Sequence, residues 1–231
     1  MVDHTVKAFE NEISQLRGLI SEMGGLAEVA IRDAIEALIR YDEDLARKVV
    51  DNDARIDALE AEVDRLAVRT IALRAPMADD LRDVIAALKI SGVVERIGDY
   101  SKNIAKRVTR FEMPSRLEPL TLIPAMAEIA QSMVRDVLNA YGSRDAVLAV
   151  EVIHRDEKVD NFYNSVFRNC VSHMMENPAT ISDAAQLLFV ARNLERVGDH
   201  ATNVAEMVYF AATGNYYTER DDLVADRESG E

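Results

Sequence analysis

Two kinds of acidic pair stand out in this sequence: Asp-x-x-x-Asp at Asp53/Asp57 and Asp156/Asp160, and Glu-x-x-x-Asp at Glu95/Asp99 and Glu195/Asp199. On a helix, a step of four places two side chains one turn apart on the same face. If a helix with the first kind of pair packs antiparallel to a helix with the second, four carboxylates converge on one patch. Such a group repels itself, so it either splays into water or gathers around a cation. Oxygen-only ligands suit hard ions such as Mg, Mn, Ca or ferric iron. In a chain this acidic, roughly seven acidic pairs at this spacing arise by chance, and Asp79/Asp83 is one to which no role attaches. What lifts the others above that background is their recurrence at matching places.

That recurrence is part of a longer internal repeat. Glu95-Arg96-Ile97-Gly98-Asp99-Tyr100-Ser101-Lys102-Asn103-Ile104-Ala105 returns one hundred residues later as Glu195-Arg196-Val197-Gly198-Asp199-His200-Ala201-Thr202-Asn203-Val204-Ala205. Six of the eleven positions are identical and two exchange Ile for Val. Two amphipathic helices would share an apolar stripe by chance, but not the same Glu, Arg, Gly, Asp and Asn. Duplication of a three-helix unit is the expectation.

Other residues have simpler readings. Arg96 and Arg196 are expected to neutralise neighbouring carboxylates rather than bind an anion. Gly98 and Gly198 are costly inside helices, and close helix approach beside the acidic patch is the expected reason. A conventional di-iron oxidase site is poorly supported, because Glu-x-x-His is missing and the counterpart of His200 is Tyr100. His4, His154, His173 and Cys170 receive no chemistry. No phosphate-binding Gly loop, nucleophile elbow, Cys-x-x-Cys or dinucleotide fingerprint occurs, which argues against an enzyme.

The elements that must carry these residues all read as helices. One seam starts at Thr5 as N-cap and runs Phe9, Ile13, Leu16, Ile20, Met23, Ala27, Ala30, Ala34, Ala37, with Gly24-Gly25 as its weak point. A second follows the Asp42-Glu43-Asp44 start signal and runs Leu45, Val49, Asn52, Ile56, Leu59, Val63, Leu66, Thr70, Leu73 until Pro76. Asp79 or Asp80 is expected to cap a third, with Ile90, Val94, Ile97, Ile104, Val108 and Phe111 as its stripe. Pro114 and Pro119 mark the widest break. Beyond it, helices are expected over about 121–141, 144–175 and 182–213. The fold class is all-α, with six long helices in two pseudo-symmetric three-helix bundles. The units are 1–115 and 116–213, followed by a polar, acidic and loosely ordered tail at 214–231.

Composition narrows the function classes. The 27 basic and 41 acidic residues give a net charge of −14, which repels nucleic acid and anionic membrane surfaces. With Cys170 as the only cysteine, neither an intrachain disulfide nor a thiolate metal site can form. The N-terminal stretch lacks a secretion signal, and there is no run of the ~18 apolar residues that marks a membrane span. A cytoplasmic protein is the expectation.

The doubled Glu-Arg-[Ile/Val]-Gly-Asp-x-x-x-Asn, the Asp80-Leu81-Arg82 triplet and the paired Asp-x-x-x-Asp motifs together resemble the PhoU family, over about residues 9–213. The resemblance implies two metal sites, one at Asp53, Asp57, Glu95 and Asp99 and the other at Asp156, Asp160, Glu195 and Asp199. The ions would be divalent or trivalent, Fe, Zn, Mn or Mg. It further implies an adapter between the ATPase subunit of a phosphate ABC transporter and a sensor histidine kinase. Such an adapter holds phosphate-starvation expression off when phosphate is plentiful, and it meets the membrane only through its partners. A homodimer is expected. Three rivals stay open: a metal-dependent helical enzyme, ferritin-like or phosphatase-like; a purely structural helical scaffold whose acidic patches bind nothing; and the PhoU-like accessory protein of a simple phosphate permease.

Overall fold

A computed structural model describes the backbone of residues 2–112 and 117–218, with side chains from residue 8 onward. Pro114 and the acidic tail from residue 219 lie outside the described residues. Six long helices account for nearly all of the rest: α1 Val2–Arg40, α2 Glu43–Arg74, α3 Asp79–Ala105, α4 Ile123–Ser143, α5 Ala146–Glu176 and α6 Ile181–Thr213. No strand occurs among the described residues.

The helix boundaries follow local chemistry. Asp42 caps α2 by accepting from the Leu45 N–H at 2.9 Å, and Asp145 caps α5 by accepting from Val147 and Leu148. At the far end of α2, Ala75 turns left-handed at φ 47° just ahead of Pro76. Gly214 closes α6 at φ 78°, a conformation glycine adopts without steric cost. Three expectations need correction. The first helix already runs through Thr5, so Thr5 is not its N-cap. Asp79 and Asp80 lie inside the first turn of α3, where they favour the positive end of the helix dipole, and the N-cap is Ala78. The third helix ends at Ala105, with Val108–Arg110 following as a short 3-10 turn.

The apolar stripes bury largely as their spacing dictates. Leu16, Ile20, Met23, Ala27, Ile31 and Ala34 are sealed from solvent in α1. Ile31 takes the place expected of Ala30 because a straight helix drifts about 20° per heptad from a strict 3.5-residue seam. In α2, Asn52 is exposed and Asp53 is buried in its stead, while Leu73 is 67% exposed. Gly24-Gly25 does not break α1. A Cβ on Gly24 would stand 2.1 Å from Leu138 Cδ1, so the missing side chain leaves the space that Leu138 of α4 fills.

Within each unit three helices pack together, α1 with α2 and α3, and α4 with α5 and α6. The units are also packed against each other, α1 on α4 and α3 on α6, and one continuous core runs through both. Polar links cross the seam. Arg144, at φ 56° in the turn before α5, donates to Asp83 and to the Ala211 carbonyl, each at 2.9 Å. Arg17 adds a bond to Asp83 at 3.2 Å. At the corresponding position of α6, Asp183 accepts from the Glu112 N–H at 2.8 Å. Asp83 therefore ties three segments together, a role that its spacing from Asp79 did not reveal. The first residues past α6 fold back on it: Tyr216 stacks on Phe210 with centroids 4.8 Å apart, and Tyr217 meets Tyr209 edge-on at 5.6 Å.

Candidate metal centre

The acidic pairs lie where α2 meets α3 and where α5 meets α6. In both places a glycine sets the approach. A Cβ on Gly98 would stand 2.9 Å from Ile56 Cδ1 and 3.4 Å from Asp53 Oδ1. One on Gly198 would stand 2.7 Å from Asp156 Oδ1 and 3.4 Å from Val159 Cγ1. Gly198 thus leaves room for Asp156 of the neighbouring helix, and Gly98 chiefly for Ile56 with Asp53 beside it, which is the close approach anticipated from sequence.

In the first nest, Asp53 is buried, Glu95 and Asp99 are half-buried, and Asp57 is exposed. Burial raises Glu95, helped by Asp99 and Glu60, and partial loss of water around the largely exposed Asp57 raises it too, helped by Asp53. The nest holds a cation of its own. Lys102, one turn beyond Asp99, donates to Asp53 and to Asp99, the latter at 2.5 Å. Burial pushes the Lys102 ammonium down, but its bonds to the two carboxylates outweigh that and raise it well above the usual lysine range. Glu60 is a further carboxylate in this field that sequence reading overlooked.

The second nest differs. Glu195 is buried, Asp156 and Asp199 are half-buried, and Asp160 is exposed. Thr202 stands where the first repeat has Lys102. Asp156 Oδ1, Glu195 Oε2 and Thr202 Oγ1 are all buried without a hydrogen-bond partner. Burial, with Asp160 and Asp199 nearby, pushes Asp156 up to about 6. Burial likewise raises Glu195, and partial loss of water raises the largely exposed Asp160, each also repelled by Asp199. Arg192 donates to Glu195 Oε1 and lies over the Tyr163 ring, 5.6 Å from its centroid.

The arginines of the repeat stand apart from these bonds. Arg96 is 63% exposed, and among the described residues its close ion pair is with Glu95, at 3.6 Å. Arg196 makes no close ion pair among the described residues, although its charge lowers Glu195. The expected neutralising role therefore fits Arg96 loosely and Arg196 only at a distance. Lys102 and Arg192 do that work instead. The sequence signal for Lys102 was its mismatch with Thr202 inside an otherwise similar repeat.

As the side chains stand, no three His, Cys, Asp or Glu among the described residues are gathered into a ready-made metal site. The helices nonetheless bring each predicted quartet to one helix pair. The donor chemistry of the second nest fits a hard cation, with buried carboxylate oxygens left unpaired. The first nest fits one poorly, because Lys102 already bridges it.

Comparison with known proteins gives the family of the chain. The PhoU domain family model matches residues 20–108 and again 123–208. A phosphate-specific transport system accessory protein PhoU homolog of Zymomonas mobilis is 52% identical over 99% of this chain and 98% of its own. The chain belongs to the PhoU family. Among solved structures, the crystal structure of PhoU from Pseudomonas aeruginosa has a TM-score of 0.85 and 36% identity, covering 90% of this chain and 100% of that one. The phosphate transport system regulatory protein PhoU from Streptococcus pneumoniae also has a TM-score of 0.85, at 26% identity, covering 91% of this chain and 99% of its own. The two matched PhoU segments each contain one acidic quartet. Among the described residues no helix is long and apolar enough to cross a membrane.

Proposed function

We propose that this PhoU-family chain regulates phosphate uptake as a cytoplasmic, non-enzymatic adapter, and that it represses phosphate-starvation expression when phosphate is abundant. The observation that carries the reading is the match of both repeats to the PhoU domain, with relatives named for phosphate-specific transport. Its partners in this reading are the ATPase subunit of the phosphate ABC transporter and a sensor histidine kinase. Self-association as a homodimer belongs to the same reading.

Metal enters as a structural part of the adapter. Asp156, Asp160, Glu195 and Asp199 would hold it in the second repeat, and Asp53, Asp57, Glu95 and Asp99 are their counterparts in the first. A bound cation would supply positive charge to buried oxygens that now lack a partner, stiffening the α5–α6 face for docking.

Two measurements test the proposal. Deleting the gene should switch on a phosphate-starvation reporter in phosphate-rich medium, and the purified chain should retain the ATPase subunit and the kinase. A reporter that stays silent, with neither partner retained, would overturn the adapter reading. Chelation should weaken partner binding; affinity unchanged after complete metal removal retires the metal component alone.

A further inference from the structure

The two acidic nests are built from matching carboxylates but carry their cations at opposite ends. Three substitutions between the repeats produce the difference. Lys102 is answered by Thr202, Gly92 by Arg192, and Glu60 by Tyr163. In the first repeat the cation projects from the turn after Asp99 and lies between the helices, bonded to Asp53 and Asp99. In the second, the cation projects from the turn before Glu195, stacks over Tyr163 and bonds Glu195 alone.

We propose that the nests are functionally unequal: Lys102 is the permanent internal cation of the first, and metal is taken only at the second, around Asp156, Asp199 and the free oxygen of Glu195. This rests on the metal component of the function proposed above and narrows it to one repeat.

The first nest has no need of a metal. The Lys102 side chain is only 21% exposed, and its ammonium satisfies a buried aspartate and its neighbour together. A metal ion entering there must expel a bound positive charge and replace two charge-assisted bonds. That requirement lowers metal affinity at the first nest by about a hundredfold or more relative to the second.

The second nest has the opposite deficit. Glu195 is 8% exposed, and its Oε2 meets no donor. Asp156 Oδ1 and Thr202 Oγ1 are buried and equally unpartnered. Arg192 does not make good the loss. Its side chain is 46% exposed, it is bonded to the other oxygen of Glu195, and among the described residues no donor reaches Asp156 Oδ1. Buried carboxylate oxygens without donors are rare in folded proteins and call for a missing partner. Carboxylate oxygens left without donors suit a hard divalent ion such as Mn(II).

The test is metal stoichiometry and affinity on the full chain, purified without tags or chelators and titrated with Mn(II) and, separately, Zn(II). Calorimetry and mass spectrometry of the loaded protein give the readouts. Binding in the unaltered chain should disappear in Asp199→Asn and survive in Asp99→Asn. Lys102→Thr should roughly double the metal held per chain, and Lys102→Met serves as a second charge-free variant should the threonine pack badly. Thr202→Lys should abolish binding while the helical circular dichroism is retained. Equal occupancy of both nests in the unaltered chain, or no gain in either Lys102 variant, overturns the inequality and leaves metal binding standing. If neither the unaltered chain nor the Lys102 variants take up metal, the inequality and the metal component fall together.

Discussion

Tyr100 and His200 hold the same place in their respective repeats, and they meet. Their rings stack at 25° with centroids 5.3 Å apart, and the Tyr100 hydroxyl lies 3.1 Å from His200 Nε2. A residue in contact with its own repeat mate marks the pseudo-two-fold axis, here at the α3–α6 seam. The pair should couple the two units. Tyr100→Ala and His200→Ala each destabilise the fold, and the double variant recovers a coupling of about 1 kcal/mol. Urea unfolding of the four proteins measures it, and strictly additive losses would contradict the role.

Adjacent glycines in α1 should respond in opposite directions. A methyl at Gly25 meets nothing within 4 Å, whereas one at Gly24 collides with Leu138. Gly25→Ala should stabilise by about 0.5–1 kcal/mol through helix propensity. Gly24→Ala should lose about 1–3 kcal/mol by forcing the Leu138 side chain out of its place between α1 and α4. Thermal melts showing the same sign for both would refute the close approach.

Glu12 ties the start of the described core to the end of α2. Arg74 donates to both of its carboxylate oxygens at 3.0 Å, and these bonds hold Glu12 below its ordinary value although burial opposes them. With the folded value depressed, the stabilisation is complete above the unfolded glutamate value and is lost as pH falls through the folded one. Glu12→Gln should therefore cost about 1–3 kcal/mol at pH 7, with the gap closing below about pH 4. A gap that stays constant from pH 7 to pH 3 would show that the charge does not matter.

Cys170 is sealed in the core, and burial pushes its thiol up to about 11. At pH 8 a thiol reagent should modify the native chain at least about a hundredfold more slowly than the urea-unfolded chain. Comparable rates would mean that α5 opens far more readily than its packing implies.

Much of the architecture was legible along the chain. Apolar residues at alternating steps of three and four, broken by Pro76 and by the Asn177-Pro178 turn, dictate helices whatever their partners, because burying one face is the only way to satisfy that pattern. The doubled Glu-Arg-x-Gly-Asp likewise announced two equivalent units and placed each acidic quartet on one helix pair. Where the reading slipped by a residue, at Asn52 for Asp53 and Ala30 for Ile31, a rigid 3.5-residue seam had been laid over helices that turn at 3.6.

Spacing along one helix could say which carboxylates share a face, but not which cation reaches them from above or below. That depends on side-chain length, on burial and on the neighbouring helix. Only the folded chain puts Lys102 between Asp53 and Asp99. Only there does Arg192 lie across Tyr163 and bond Glu195, while Asp156 Oδ1 is left buried without a donor. The same is true of Asp83, an unremarked acid in sequence that becomes a junction once Arg17 and Arg144 arrive from distant helix ends. Periodicity is a local property and survives in the one-dimensional record. Charge compensation is decided by distances of a few ångströms between residues dozens of positions apart, and those come into being only on packing.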